Sequence, residues 1–288
     1  MTINKIYNTL LSVAMLICIG LSATSCLDKY PEYAIPEDKA IQTLQDLDQA
    51  AIGLYSTFKS SALYSGYLSL LPDIQCDLAY AVNGYTNVYG EIWRWNILAT
   101  NSEITAVYAS LYGVIASANF ILEYSPRVEL TLTTDEEIAQ FEQICGEAYF
   151  ARALAYSELI KMYCKAYDKD TAPTDKGVVI VTKYHTDEPM VRASLEESYK
   201  QVIADLDRAA ELMDIDEENI GGNIYNATYF NEYTVYALRA RVALYMRDWE
   251  SAIEYSSRVI DSGYYLLSSA STAITSDMSH FAYMWAYD

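Results

Sequence analysis

Trp93 and Trp95, with Tyr85 and Tyr89 just before them, crowd four aromatic rings into one short stretch, and Asn96 and Asp77 stand close by. Aromatic faces stack on the apolar faces of sugar rings, while carboxamides and carboxylates bond the hydroxyls. Burial of apolar area drives such stacking, at about 25 cal/mol per Å². These six residues are the candidate ligand-binding set, with one Trp of the Trp93-x-Trp95 pair expected to face the core. Around them, Gly66, Asn83, Gly84, Asn87 and Gly90 make residues 60–100 read as folded loops, where binding residues concentrate. Catalytic signals are weaker. His185 and His280 are the only histidines, and neither lies near a nucleophile motif. A paired-carboxylate glycosidase is left open, because separation in space is not legible from sequence. The cluster Asp214, Asp216, Glu217 and Glu218 lacks the EF-hand register and reads as a solvated loop. The expectation is a binding protein without catalytic residues, metal or cofactor.

Chemistry of another kind is written at the N-terminus. Leu10 to Leu21 form a nearly unbroken apolar run behind Lys5, too short to span a bilayer, which takes about 20 residues. It has the pattern of a secretory leader. Ser22, Ala23, Thr24 and Ser25 follow, and then Cys26. Small residues ending on a cysteine resemble the lipobox of bacterial lipoproteins, although Ala23 stands where Leu is commoner. The resemblance implies cleavage before Cys26 and acylation of that residue, an anchor far firmer than a single acyl chain. Ordinary secretion with cleavage near Ser25 is the alternative. Cys76, Cys145 and Cys164 are then left, an odd number without C-x-x-C spacing, so buried free thiols are expected rather than disulfides or zinc.

Charge narrows the partners. The 39 acidic and 19 basic residues give a formal charge of −20, with no Lys/Arg cluster, which argues against nucleic acid. An acidic surface favours neutral or cationic ligands. Hydrophobic content of 52% excludes general disorder. The 28 tyrosines fall largely on helical stripes, so most are expected in the core.

The elements that must position these residues are helical. Leu44, Leu47, Ala51, Leu54, Tyr55 and Phe58 share one helix face behind Thr43. Ile104, Val107, Leu111, Ile115, Ala118 and Leu122 form a second stripe, expected to stop near Pro126. Capping boxes at Thr134–Glu137 and Ser194–Glu197 open a third and a fourth helix. Only residues 177–182 read as extended. Tyr233 to Tyr264 resembles a tetratricopeptide (TPR) helix pair, with Tyr236, Ala240, Ala243, Ala252, Ser256 and Val259 at the repeat's offsets. Ordinary helix packing would give the same alanines. The fold class is mainly α: a TPR-like α/α superhelix with irregular aromatic-rich loops.

Five further segments carry a resemblance over nearly the whole chain. They are Cys26-Leu27-Asp28 with Pro31; Leu111-Tyr112 through Ala118-Asn119 (family pattern LY-x-x-I-x-x-AN); Gly146 to Ala153 (GEA-x-F-x-RA); Gly177 to Thr182 (GVPLVT, with Val179 for the proline); and Arg192 to Glu197. Arg241, Leu244, Tyr245, Asp248, Trp249 and Ala252 resemble the family's helix pair. Together they are similar to the RagB/SusD family of nutrient-binding outer-membrane lipoproteins. The resemblance implies no catalytic step. It implies a surface lipoprotein, tethered through Cys26 to the outer membrane, that captures oligosaccharides or peptides for a SusC-like TonB-dependent transporter. It also implies a chain roughly twice as long, so the sequence reads as truncated. The expected organisation is a signal peptide at 1–25, a SusD-like region at 26–228, and a TPR-like pair at 229–288 beginning the C-terminal region. A scaffold binding only protein and a secreted hydrolase are the alternatives.

Overall fold

The structure is a computed structural model that describes residues 36–80, 88–187, 189–213 and 229–265. Cys26, Tyr85, His280 and the acidic cluster at 214–218 lie outside the described residues. Two compact units are distinguished, 1–40 and 41–288. Of the first, the described part is a short 3₁₀ turn, Glu37–Lys39. The second holds the helical body.

That body follows the stripes. Helices α1 (Leu44–Phe58), α2 (Tyr67–Gln75), α3 (Gly90–Trp93), α4 (Ser102–Glu129) and α5 (Asp135–Tyr163) come first. Strands β1 (Lys176–Val179) and β2 (Arg192–Ser194) pair antiparallel. Helices α6 (Leu195–Leu212), α7 (Glu232–Met246) and α8 (Trp249–Asp261) complete it. Consecutive long helices pack on each other, α4 on α5, α5 on α6, α6 on α7 and α7 on α8, with α1 laid across α4 and α5. The described body is therefore mainly α, a layered run of helix pairs.

Both expected capping boxes form. Thr134 accepts from the Glu137 N–H and Ser194 from the Glu197 N–H, while each Glu accepts in return. The returning backbone bonds hold both carboxyls below the usual carboxylate range. Thr43 caps α1 in the same way through Asp46. One boundary differs from expectation. α4 does not stop near Pro126 but runs on to Glu129. Proline there removes a donor to the Leu122 carbonyl, and the Ser125 hydroxyl donates to that carbonyl instead, at 3.2 Å. Residues 60–100 also differ, since α2 and α3 stand where loops were expected. Of the three thiols, Cys145 is buried, Cys164 half-buried and Cys76 exposed, so the expectation of burial fails for Cys76. α2 ends at Gln75 and leaves that residue in a turn at the surface.

The core contains a polar staple. Arg152 of α5, 4% exposed, grips Asp205 of α6 with two bonds, Nε–Oδ2 at 2.9 Å and Nη2–Oδ1 at 2.6 Å. Its third nitrogen donates to Asn119 Oδ1 of α4 at 2.7 Å and to the Thr182 carbonyl at 3.4 Å. Asn119 in turn donates to the Val181 and Lys183 carbonyls. The extended segment that the sequence marks at 177–182 runs beyond the short β1 as a backbone tethered by side chains. Tyr156 hydroxyl bonds both N–H and C=O of Val181, Tyr112 does the same for Val179, and Ser198 accepts from the Val178 N–H. Gly177 fits here because a Cβ would lie 2.0 Å from Ser198 Oγ and 2.4 Å from the Ser194 carbonyl oxygen.

Removing one partner of a buried, hydrogen-bonded pair leaves an uncompensated charge, at a cost of about 3–5 kcal/mol. Arg152→Ala is therefore expected to lower the free energy of unfolding by that amount, read as a lower urea midpoint at unchanged slope. The double variant Arg152→Met, Asp205→Leu should recover most of the loss. A single variant within about 1 kcal/mol of the parent would show that the staple is not what holds α5 to α6.

Candidate functional site

Two aromatic regions stand out, joined by the turn between α1 and α2. The first is the surface that the sequence singles out. α2 is pinned by Leu68, Leu71 and Ile74, all buried, and α3 by Ile92, 2% exposed. The chain reverses at both ends of this unit through left-handed residues. Asp77, Tyr89 and Trp95 have φ of 59°, 59° and 60°, and these are three of the four non-glycine residues with positive φ among those described. Left-handed backbone costs an L-residue about 1–2 kcal/mol, and such residues cluster where the strain serves a role.

The strain decides which Trp is which. With Ile92 anchored, Trp93 lies half-buried against the core, whereas Trp95, one left-handed step beyond, is 65% exposed. Tyr89 packs edge-on against Tyr67 at 6.1 Å. Asn96 is exposed and its amide nitrogen donates to Glu91 Oε2 at 2.6 Å, while Arg94 holds Oε1 of the same carboxylate at 3.1 Å. Tyr89, Trp93, Trp95 and Asn96 are thus gathered on and beside α3. Asp77 closes α2 and shares no hydrogen bond with Asn96 among the described residues. Leu78, Tyr80, Val88 and Leu98 add exposed apolar surface around this unit.

The second region is a cleft of about 690 Å³ between α1, α5 and the residues entering α7. Tyr55, Phe58, Tyr64, Leu154, Tyr229 and Phe230 form its walls, with Lys59 and Arg241 also lining it. Phe230 is the hub. Its ring lies 4.8 Å from Tyr55, 5.9 Å from Phe58 and 4.4 Å from Phe150. Behind the wall, Tyr55 hydroxyl accepts from the Phe230 N–H at 2.9 Å and bonds buried Glu147. Gln143 donates to Glu147 at 2.9 Å and to the Phe230 carbonyl at 3.0 Å. On the other side, buried Glu158 takes Arg241 at 3.0 Å and Lys161. Sequence reading passed over this cleft. Its one signal is that the α1 stripe is wider than a core contact needs, with Tyr55 and Phe58 on its edge.

Residues of the resemblance motifs fall largely outside the aromatic surface. Tyr112, Asn119 and Arg152 make the staple, and Glu147 and Arg241 back or line the cleft. Gly146 lets α5 approach the end of α6, where a Cβ would sit 2.6 Å from Met213 Cγ.

A family model described as "Starch-binding associating with outer membrane" matches residues 26–244. The chain belongs to the SusD-like family. That family is described as starch-binding and associated with the outer membrane. Similar relatives include SusD-like protein P2 of Formosa agariphila, 22% identical over 89% of this chain and 46% of its own. SusD-like protein P25 of the same organism is 29% identical over 55% of this chain and 30% of its own. Among solved structures, a putative sugar-binding protein from Bacteroides vulgatus aligns at a TM-score of 0.65 and 25% identity, covering 77% of this chain and 47% of that one. A SusD superfamily protein from Bacteroides thetaiotaomicron, at 21% identity and the same TM-score of 0.65, shows the shared fold over 80% of this chain and 49% of that one. The chain spans about half the length of the relatives it matches.

Glu147 gives this region a pH signature. Burial pushes its pKa up to about 7, against the opposing bonds from Gln143 and Tyr55. The unfolded chain releases this proton near pH 4.5 and the folded chain near 7. Stability from this group is therefore full below pH 4.5 and lost as pH rises to about 7, by at most about 3 kcal/mol. Glu147→Gln should raise the denaturation midpoint at pH 8 relative to the parent and leave the difference small at pH 4.5. Equal effects at both pH values would refute the assignment.

Proposed function

We propose that this chain is part of a cell-surface nutrient-binding lipoprotein. It captures oligosaccharides on the α2–α3 aromatic surface and passes them to a SusC-like TonB-dependent transporter. The observation that carries the reading is the exposed indole of Trp95 on left-handed backbone, beside Tyr89 and Asn96, in a chain whose family is described as starch-binding. Left-handed backbone is costly for a bulky residue, and here it accompanies an indole that is 65% exposed, which favours an outward role. Asp77 and Tyr85 belong to the same proposed set. Anchoring through acylated Cys26 is supported by the apolar run before it and by the family match, which begins at that residue. The partner transporter follows from family membership.

A second reading, a scaffold that binds protein alone, is favoured by one observation. Leu244, Tyr245, Trp249, Ile253 and Ile260 are exposed along α7 and α8. An apolar stripe of that kind suits a helical partner.

Maltoheptaose and other neutral oligosaccharides, titrated against the purified chain, distinguish the readings. Trp95→Ala is expected to weaken binding at least tenfold with little change in melting temperature. Trp95→Gly should lose binding equally yet melt at the same or a higher temperature, since glycine relieves about 1 kcal/mol of strain. Trp93→Ala should lower the melting temperature, because its ring packs on the core. Unchanged binding by Trp95→Ala would sink the site. Binding retained by Trp95→Ala but lost by Trp249→Ser with Ile253→Ser would move it to α7–α8.

A further inference from the structure

The cleft between α1, α5 and the entry to α7 departs in charge from the chain that forms it. The sequence carries 39 acidic and 19 basic residues. Among the described residues that line the cleft, however, none is acidic, while Lys59 and Arg241 are basic. Beside the cleft, buried Glu158 receives Arg241 at 3.0 Å and also Lys161. One carboxylate thus faces two cations, and the locus keeps a positive charge. Arg241 is 42% exposed, and its bond to Glu158 uses only Nη2 of a guanidinium that has donors on every nitrogen. Lys59 adds a second source of charge, exposed and in no ion pair among the described residues.

The walls set the rest of the chemistry. Two of the phenols have their hydroxyls committed to the protein. Tyr55 bonds the Phe230 N–H and Glu147, and Tyr64 directs its hydroxyl at Glu158 Oε1, 3.5 Å away. Ser56, Ser65 and Tyr229 supply the remaining hydroxyls, so the lining is mostly apolar. A neutral sugar drawn into such a space would leave hydroxyls without partners, which is costly. An apolar body gains from the same burial, and a carboxylate at its end is the natural partner of a guanidinium. The volume of about 690 Å³ lies within the usual span of small-molecule sites, about 300–1,000 Å³.

We propose that this cleft binds an amphipathic carboxylate, a small acid whose aryl or acyl body lies against Tyr55, Phe58, Tyr229 and Phe230 and whose carboxylate meets Arg241 and Lys59. Phe230 is held ready for it, because Tyr55 bonds its N–H and Gln143 its carbonyl. A wall fixed in this way spares the ligand the cost of ordering it. The site is separate from the α2–α3 surface and does not rest on the oligosaccharide reading.

Calorimetric titration of the full chain with 2-naphthoate and with octanoate, each paired with its uncharged amide, tests the assignment. At least one acid is expected to bind, at least tenfold more tightly than its amide, and the tighter acid assigns the body as aryl or acyl. Arg241→Gln should abolish the preference for acid over amide. Lys59→Gln should reduce it at least threefold, whereas Lys200→Gln, the same charge change at an exposed position of α6, should leave it intact. Tyr229→Ser should weaken acid and amide alike. Should Arg241→Gln fold poorly with Glu158 short of a partner, the parent's acid–amide comparison and Lys59→Gln still decide. Equal binding of acid and amide would overturn the proposal in favour of a groove indifferent to charge. A preference that survives both Arg241→Gln and Lys59→Gln would place the acid elsewhere. Displacement of the bound acid by maltoheptaose would give the cleft to sugars, and no binding of either acid at millimolar concentration would leave it without this ligand class.

Discussion

The bidentate pair between Arg152 and Asp205 is the interaction on which the helical body depends. Taking both ions out of water costs several kcal/mol each, and mutual attraction offsets this only if the remaining donors are used. Here they are, through Asn119 and the Thr182 carbonyl. One guanidinium thereby joins α4, α5, α6 and the extended segment after β1. The segment in turn has no sheet to run in beyond three residues of β2. Its backbone groups must be satisfied some other way, and the tyrosines supply it. Tyr112 and Tyr156 each give and take a bond with one residue of the segment. A phenol is suited to this post because its ring fills the helix interface while its hydroxyl reaches the backbone. That explains part of the tyrosine richness better than stacking on ligands does.

Stability is distributed unevenly around this staple. α5 contributes buried residues along nearly its whole length, whereas none of α8 is buried and it packs on α7 alone among the described elements. α4 is long and apolar enough by composition to cross a bilayer, yet it lies against α1 and α5 and carries the buried Asn119. The short helices α2 and α3 borrow their rigidity from this frame through Leu71 and Ile92. Left-handed residues can persist at Asp77, Tyr89 and Trp95 only because those anchors fix both ends of the reversal. A looser support would relax the strain and let the indole of Trp95 collapse onto neighbouring apolar groups.

Much of this frame was legible in the sequence because its signals are local. Capping boxes span four residues, and the stripes of α1 and α4 repeat every turn. What escaped was short or nonlocal. α2 carries Pro72 and starts after Gly66, so its composition reads as loop, and α3 is a single turn. Pro126 fails to end α4 because the Ser125 hydroxyl replaces the missing donor. Arg152 and Asp205 lie 53 residues apart, and an arginine on a helix gives no sign that it faces inward. The candidate set on α3 was legible as composition. Its division into a half-buried Trp93 and an exposed Trp95 was not, since that depends on one positive φ.

The placement of the motif residues bears on how far family membership reaches. Asn119, Arg152, Gly177 and Tyr112, four of the motif residues, meet backbone in or against the core, and Arg152 and Asn119 also bond each other. They specify a frame, and a frame constrains what can dock against its outer surface. They say little about ligand chemistry, which on the proposed reading rests with side chains outside the core such as exposed Trp95 and Asn96 and half-buried Tyr89. Two members could therefore share the staple residue for residue and differ in the sugar they take. If the proposed surface is the binding site, exchanging the turn that follows α3 alters ligand choice without disturbing the Arg152 network, because Ile92 and not Trp95 connects that turn to the core.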